Sequence, residues 1–277
     1  MAGSFLIFLR EGIEGTLICA ILLTYLAAAG RRDMFRWVLG GASVSLVGSA
    51  LVGVGLYAGV HSDFIGSRGQ LWFETATFAI AVVVLTYMTF WMKRHARRLS
   101  TDLKSRVDGA VTGGSGFALA LVAGATVGRE AVETSVFTVA ITLQSSPRDL
   151  LIGAAAGLGV SLAISFAIYR MGVRVNLGRF FTVVGGALMI VAAGLLANVV
   201  QNLQQLGVAA RIPGSEIRVW DTHHLVPQDS TLGDILHGLV GYAETPSLLQ
   251  FATYALFLSV GLWLFLRPGA ARPTPAA

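Results

Sequence analysis

The sequence predicts an all-α polytopic membrane protein, and three observations carry that expectation. Of 277 residues, 55% are apolar and 13% charged, whereas soluble domains run near a quarter charged. Several apolar runs approach ~20 residues, the length a helix needs to cross a hydrocarbon core. Lys and Arg also divide unevenly between alternate loops, as a chain sorted by the positive-inside rule requires. Short alternating segments that would build a membrane β-barrel are not visible. The 33 glycines suit helix packing in lipid, where small residues let backbones approach.

The first span, near 4–28, contains FLIFLREGIEGTLICAILLTYLAAA. It has no basic leader and no small-residue cleavage site, and carboxylates interrupt its apolar run. It therefore reads as a retained span and not as a signal peptide. Cys19 is the one cysteine, so no intrachain disulfide forms, and it reads as a small buried apolar residue. The second and third spans lie near 36–60 and 72–92, and the fourth near 114–143. The fourth is long enough to tilt or to extend beyond the hydrocarbon. The fifth and sixth lie near 149–169 and 180–199. A long segment, 200–247, precedes the seventh span near 248–267, and a Pro- and Ala-rich tail, 268–277, reads as disordered. Residues 1–267 are expected to form a single transmembrane domain.

With seven spans, fourteen Lys and Arg fall on one side, in the loops after spans one, three and five and in the tail. The other side has Arg68, Arg148, Arg211 and Arg218. The N-terminus is then outside and the C-terminus cytoplasmic. This topology accounts for the basic loop KRHARRLSTDLKSR (93–106) and for a sequence pI near 9.8. No nucleic-acid partner is expected, and the surroundings are membrane lipid.

Arg10, Glu11 and Glu14 interrupt the first span. Ionised groups at membrane depth cost ~2.5–3.5 kcal/mol each on insertion scales, and by default they mark function. The fourth span repeats the pattern: GREAVET (128–134) contains Arg129, Glu130 and Glu133 in the R-E-x-x-E spacing of REGIEGT (10–16). The following spans are weakly alike, LGGASVSLVG (39–48) beside IGAAAGLGVS (152–161). Spans one to three, about 4–92, and four to six, about 114–199, thus read as two copies of one unit. An odd number of spans per copy inverts the second, a plan that places transporter sites at the midplane between repeats. Rocking one repeat against the other is the expected mechanism.

On a helix, residues i and i+3 share a face and residues i and i+4 can pair. If the two helices cross antiparallel, four carboxylates converge with two guanidiniums, leaving two net negative charges when all are ionised. Crowded in low dielectric, the carboxylates must share protons or take up a multivalent cation. Oxygen-only ligands favour hard cations, Fe³⁺ among them. Two alternatives stay open: a permease for another hard or divalent cation, and a membrane di-iron carboxylate oxidase. The oxidase reading lacks the usual Glu-x-x-His, because no histidine falls inside an expected span. Ion pairs that merely hold helices together are a third reading, which the duplication weakens.

The two intramembrane motifs, with W-D-T (220–222), L-H-G-L-V-G-Y (236–242) and P-S-L-L-Q (246–250), resemble the oxidase-dependent iron permease family. The resemblance spans nearly the whole chain and is greatest to the family's bacterial EfeU-type members. It implies an inner-membrane, multi-pass transporter, not an enzyme, that imports iron after oxidation to the ferric state outside. Glu11, Glu14, Glu130 and Glu133 would bind the metal, and Arg10 and Arg129 would balance charge. No cofactor is held permanently, since iron is the transported substrate. The bacterial systems imply a periplasmic cupredoxin-like protein and a haem peroxidase as partners.

Glu74, read as starting the third span, is a candidate for capture or proton relay, or a solvated residue suited to the helix dipole. Asp221, His223 and His224 could collect metal outside, although they also suit an ordinary polar loop. Residues 231–242 are amphipathic and could lie at the interface. Asn198, Gln201 and Asn202 could line a pore mouth or cap a helix end.

Overall fold

The computed structural model describes residues 2–60, 67–95, 116–143, 146–171, 177–209, 212, 215–227 and 230–267. The basic loop beyond residue 95, His61 and the tail lie outside them. The described chain forms α1 (Ala2–Ala28), a 3₁₀ turn (Arg32–Met34), α2 (Phe35–Val60), α3 (Ser67–His95) and α4 (Gly116–Thr142). These are followed by α5 (Pro147–Met171), α6 (Leu177–Gln205), α7 (Thr231–Val240) and α8 (Leu248–Leu266). Among the described residues there is no strand, only an isolated bridge between Arg218 and Ser247.

Five of these helices, α2, α3, α5, α6 and α8, are long and apolar enough to cross a membrane. Helices of this kind are those of a polytopic membrane protein. The other two long helices, α1 and α4, have 27 residues each, or about 40 Å at 1.5 Å per residue. They are the helices whose apolar runs contain the charged motifs.

The helices pack in a crossed order. α1 lies on α5, α4 on α2, and α3 on α6, while α1 and α4 touch each other. α1 and α5 run parallel, because Ser4 Oγ donates to the Asp149 carbonyl (3.4 Å) and Thr16 meets Ser165 (2.5 Å) further along both. α2 and α4 also run parallel, with Ser45 Oγ donating to Gly124 O (2.7 Å) and Ser135 Oγ to Ser49 O (3.0 Å). α1 and α4 are antiparallel: Ile18, Leu22 and Leu26 near the end of α1 share a cluster with Leu119 and Ala123 near the start of α4.

Glycine permits the α1–α5 approach. A Cβ at Gly157 would stand 2.6 Å from the Phe5 carbonyl oxygen and 2.8 Å from the Leu9 amide nitrogen. Backbone cannot yield as a flexible side chain does, so Gly157→Ala must separate the helices. Overpacking of this kind costs about 1–3 kcal/mol, so a lowered melting temperature in detergent is expected. An unchanged melting temperature would show that the contact is slack.

The main core joins Phe78, Ala81, Val82 and Leu85 of α3 to Val184, Leu188, Val191 and Leu195 of α6. Ile7 of α1 and Phe137 of α4 complete it. α8 covers the other side of α6: a Cβ at Gly185 would meet both Phe265 and Thr89, and Gln204 bonds Ser247 at the opposite end (3.0 Å). α3 and α8 therefore both run antiparallel to α6. Lys93, at the end of α3, donates to the Phe265 carbonyl and lies 4.8 Å over its ring.

Several boundaries differ from the sequence expectation. α3 begins at Ser67, so Glu74 lies two turns inside the helix, and His95 is its last residue. The longer start has a local cause, since Gln70 Nε2 donates to Glu74 Oε1 (3.2 Å) across one turn. The amphipathic 231–242 piece forms α7, which packs on α6 and α1. Ser230 caps its start through Gly233 N (3.0 Å), and Gly241 closes it in a left-handed conformation (φ 70°).

Candidate metal centre

The antiparallel crossing of α1 and α4 brings the two R-E-x-x-E motifs to one level. Glu11, Glu14 and Glu130 each offer a carboxylate oxygen within 4.8 Å of the others, and all three are buried. Among the described residues no other group of three His, Cys, Asp or Glu side chains comes as close. Two unit charges at that separation repel by about 3–4 kcal/mol at an effective dielectric of 20. Ionised together, they require a positive neighbour.

Each motif supplies its own. Arg10 Nε donates to Glu14 Oε1 at 3.0 Å, and its Nη1 lies 3.2 Å from Glu11 Oε1. Arg129 Nε donates to Glu133 Oε1 at 3.0 Å and lies 4.0 Å from Glu130 Oε1. The internal i, i+4 pairing is therefore the same in both copies. The surroundings differ: the Arg10 side chain is 2% exposed and that of Arg129 is 45% exposed. Arg129 also stacks 4.9 Å over the Trp91 ring and places Nη2 3.3 Å from Met88 Sδ. Trp91 and Met88 belong to α3, and nothing in the spacing of the motif pointed to them.

Several oxygens remain without a hydrogen-bond partner although they are buried. Both Glu11 carboxylate oxygens, Oε2 of Glu130 and Oε2 of Glu133 are in this state. A buried acceptor left unmade costs ~1–3 kcal/mol, more when it is charged. A cation ligated by these oxygens would remove that cost, and hard cations suit an all-oxygen donor set. The residues present therefore fit a metal ion.

A cavity of about 920 Å³ opens beside the carboxylates, between the pairs α1–α5 and α2–α4. Glu11 and Glu130 reach it, together with Thr16, Ser49, Ser135 and Ser165. The half-buried Cys19 also lies on its wall. Three of these hydroxyls tie helix to helix: Thr16 meets Ser165, and Ser135 donates to the Ser49 carbonyl.

The other sequence candidates stand apart from the centre. His223 Nδ1 lies 3.1 Å from Glu244 Oε2, a partner sequence reasoning did not name. Asp221 Oδ1 accepts from the His223 backbone N–H at 3.1 Å, a local turn contact. His224 packs edge-on to the His223 ring, with centroids 5.8 Å apart. Glu74, two turns inside α3, is bonded to Gln70.

The sequence also has relatives. The family model for the iron permease FTR1 family matches residues 1–268. A ferrous iron permease EfeU of Escherichia coli O6:H1 is 32% identical over 274 residues, covering 98% of this chain and 97% of that protein. The ferrous iron permease EfeU of Yersinia pestis is 31% identical over 266 residues, covering 95% and 93%. No solved structure matches. The relatives are named as transporters and not as enzymes. A match over almost the entire chain, with relatives aligned nearly end to end, makes this protein a member of the iron permease FTR1 family.

Proposed function

We propose that this chain imports iron across the bacterial inner membrane through a site made by Glu11, Glu14, Glu130 and Glu133. One observation carries the reading: two R-E-x-x-E motifs on antiparallel helices meet at one level with buried carboxylate oxygens unpartnered. Seven helices, α1 to α6 and α8, cross the bilayer with the N-terminus outside and the C-terminus in the cytoplasm. α1 and α4 join the five apolar spans because Arg10, Glu11, Glu14 and Glu130 are buried in the protein and Arg129 is paired with Glu133. Residues 4–92 and 114–199 form inverted repeats within one domain, followed by the outside segment 200–247 and the last span 248–267. The packing supports this division, since exchanging the copies turns the α1–α5 pair into α4–α2 and leaves α3–α6 unchanged.

An arriving cation displaces the protons that crowded carboxylates otherwise share, while Arg10 and Arg129 limit the charge of the empty site. The repeats are interlocked, because the first helix of each rests on the second helix of the other. The bodies that rock are then the pairs α1–α5 and α2–α4, hinged where α1 and α4 cross. No cofactor stays bound. Iron is oxidised outside and reaches the carboxylates as Fe³⁺, which all-oxygen ligands favour, with a cupredoxin-like protein and a haem peroxidase as partners in the periplasm. A second reading, Fe²⁺ throughout, is favoured by the names of the bacterial relatives.

Proteoliposomes loaded with purified protein separate these readings. Radio-iron uptake is measured with Fe³⁺ citrate and, separately, with Fe²⁺ under ascorbate. Faster saturable uptake of Fe³⁺ is expected, and faster uptake of Fe²⁺ establishes the second reading. No uptake of either ion would overturn iron transport by this chain.

A further inference from the structure

On α6, the buried residues Val184, Leu188, Val191 and Leu195 form one stripe facing α3, α1 and α4. Continued at the same spacing of three and four, the stripe reaches Asn198 and Asn202. Both are buried, 5% and 7% exposed, and on a stripe of this kind aliphatic side chains are the rule. Asn198 Oδ1 and Asn202 Nδ2 have no hydrogen-bond partner. Each amide thus has one polar atom, one helical turn from the other, facing the interior unsatisfied, and turning the Asn202 amide presents its oxygen there as well.

Their height in the bundle follows from the packing. α3 and α6 are antiparallel and meet at Thr89 and Gly185. Counting equal steps along both helices sets Asn198 level with Ala76 and Asn202 level with Trp72, on either side of Glu74. The carboxylates lie deeper. Ile7 precedes Arg10 by one turn and Phe137 follows Glu133 by one turn, and both belong to the apolar cluster that runs along α6 from Val184 to Val199. From the end of the bundle that carries segment 206–247, the order is amide pair, apolar layer, carboxylate centre. α7 closes this end. A Cβ at Gly194, one turn below Asn198, would stand 2.7 Å from Gly241 Cα at the end of α7.

We infer that Asn198 and Asn202 form an outer station where the incoming cation exchanges part of its water for carboxamide oxygen before crossing to the carboxylates. The inference rests on the transport reading above. Carboxamide oxygen is a hard, uncharged ligand. It replaces hydration without holding the ion as a carboxylate would, which suits a point of passage. Ile7, Phe137 and Leu195 are then the layer that must part to let the ion descend.

Cysteine accessibility tests this directly, because the chain has one native cysteine. In a Cys19→Ala background that still imports iron, Asn198→Cys and Asn202→Cys are treated from outside with a charged methanethiosulfonate that cannot cross membranes. The expected result is modification of both, loss of uptake on modification, and slowing of modification at least about 5-fold by iron. Lack of modification, or modification at a rate iron does not change, overturns the station. Asn198→Leu and Asn202→Leu give a second readout, with KM for iron raised about 10-fold and membrane levels maintained. An unchanged KM in both also overturns it. Glu14→Gln run in parallel separates the two ideas: if it too imports iron normally, the carboxylate reading fails; if it alone is dead, only the station does.

Discussion

Glu14→Gln is expected to abolish iron uptake while the protein stays in the membrane at its normal level. The substitution preserves size and hydrogen-bonding capacity but removes a charge from a residue 2% exposed. Two losses follow. Arg10 loses the partner it holds at 3.0 Å, and the centre loses an anionic oxygen that a cation needs. A hydrogen bond to a charged group contributes about 1.5–3 kcal/mol, and the upper value alone corresponds to a roughly 100-fold loss. Glu133→Gln is expected to behave alike, because Arg129 holds it with the same 3.0 Å contact. Radio-iron uptake in proteoliposomes, normalised to reconstituted protein, gives the measurement. Uptake at the parent rate in either variant would remove that residue from the site.

The two arginines should respond differently to an identical change. Arg10 is enclosed and its fork reaches two carboxylates, Nη1 toward Glu11 and Nε to Glu14. Lysine keeps the charge but concentrates it on one ammonium that cannot span both. Arg10→Lys should therefore lower both uptake and the melting temperature. Arg10→Met should be worse, since breaking a buried pair leaves an uncompensated charge and costs about 3–5 kcal/mol. Arg129 holds one carboxylate closely, Glu133 at 3.0 Å, with Glu130 at 4.0 Å, so lysine gives up less there and Arg129→Lys should be the milder change. Thermal unfolding in detergent beside transport rates would show the difference. Equal losses in the two lysine variants would mean that burial of the arginine is unimportant.

The helices and the meeting of Glu11 and Glu14 with Glu130 were legible in the sequence because both follow from local rules; Glu133, expected with them, is held by Arg129 outside that close group. Apolar length marks a span, and i, i+3 spacing puts two carboxylates on one face of each. The expected inversion of the second motif suited an antiparallel meeting of α1 and α4, which the packing shows. What could not be read is which helix supports which. The α1–α5 and α4–α2 pairings depend on backbone approaches at Gly157 and Gly41, and in a sequence with 33 glycines nothing distinguishes those two. The unequal burial of Arg10 and Arg129 was hidden for a related reason. The motifs are alike, but Trp91 and Met88 stand beside only the second. The start of α3 was missed because QLWFE suggests an apolar boundary, whereas the Gln70–Glu74 contact continues the helix outward past it.

The partnering of Arg10 within its own helix has a consequence for how the chain is made. α1 leaves the ribosome first, and α4, with the other half of the centre, follows about a hundred residues later. On the seven-span reading proposed above, α1 meets the insertion machinery during that interval with three ionisable groups and without α4. Arg10 already engages both Glu11 and Glu14 through contacts inside α1, so the nascent helix can present one net negative charge in place of three separate ions. The second motif repeats the device, with Arg129 holding Glu133 inside α4. Each half of the centre can thus enter the bilayer already partly neutralised, and assembly requires only that the two halves find one another.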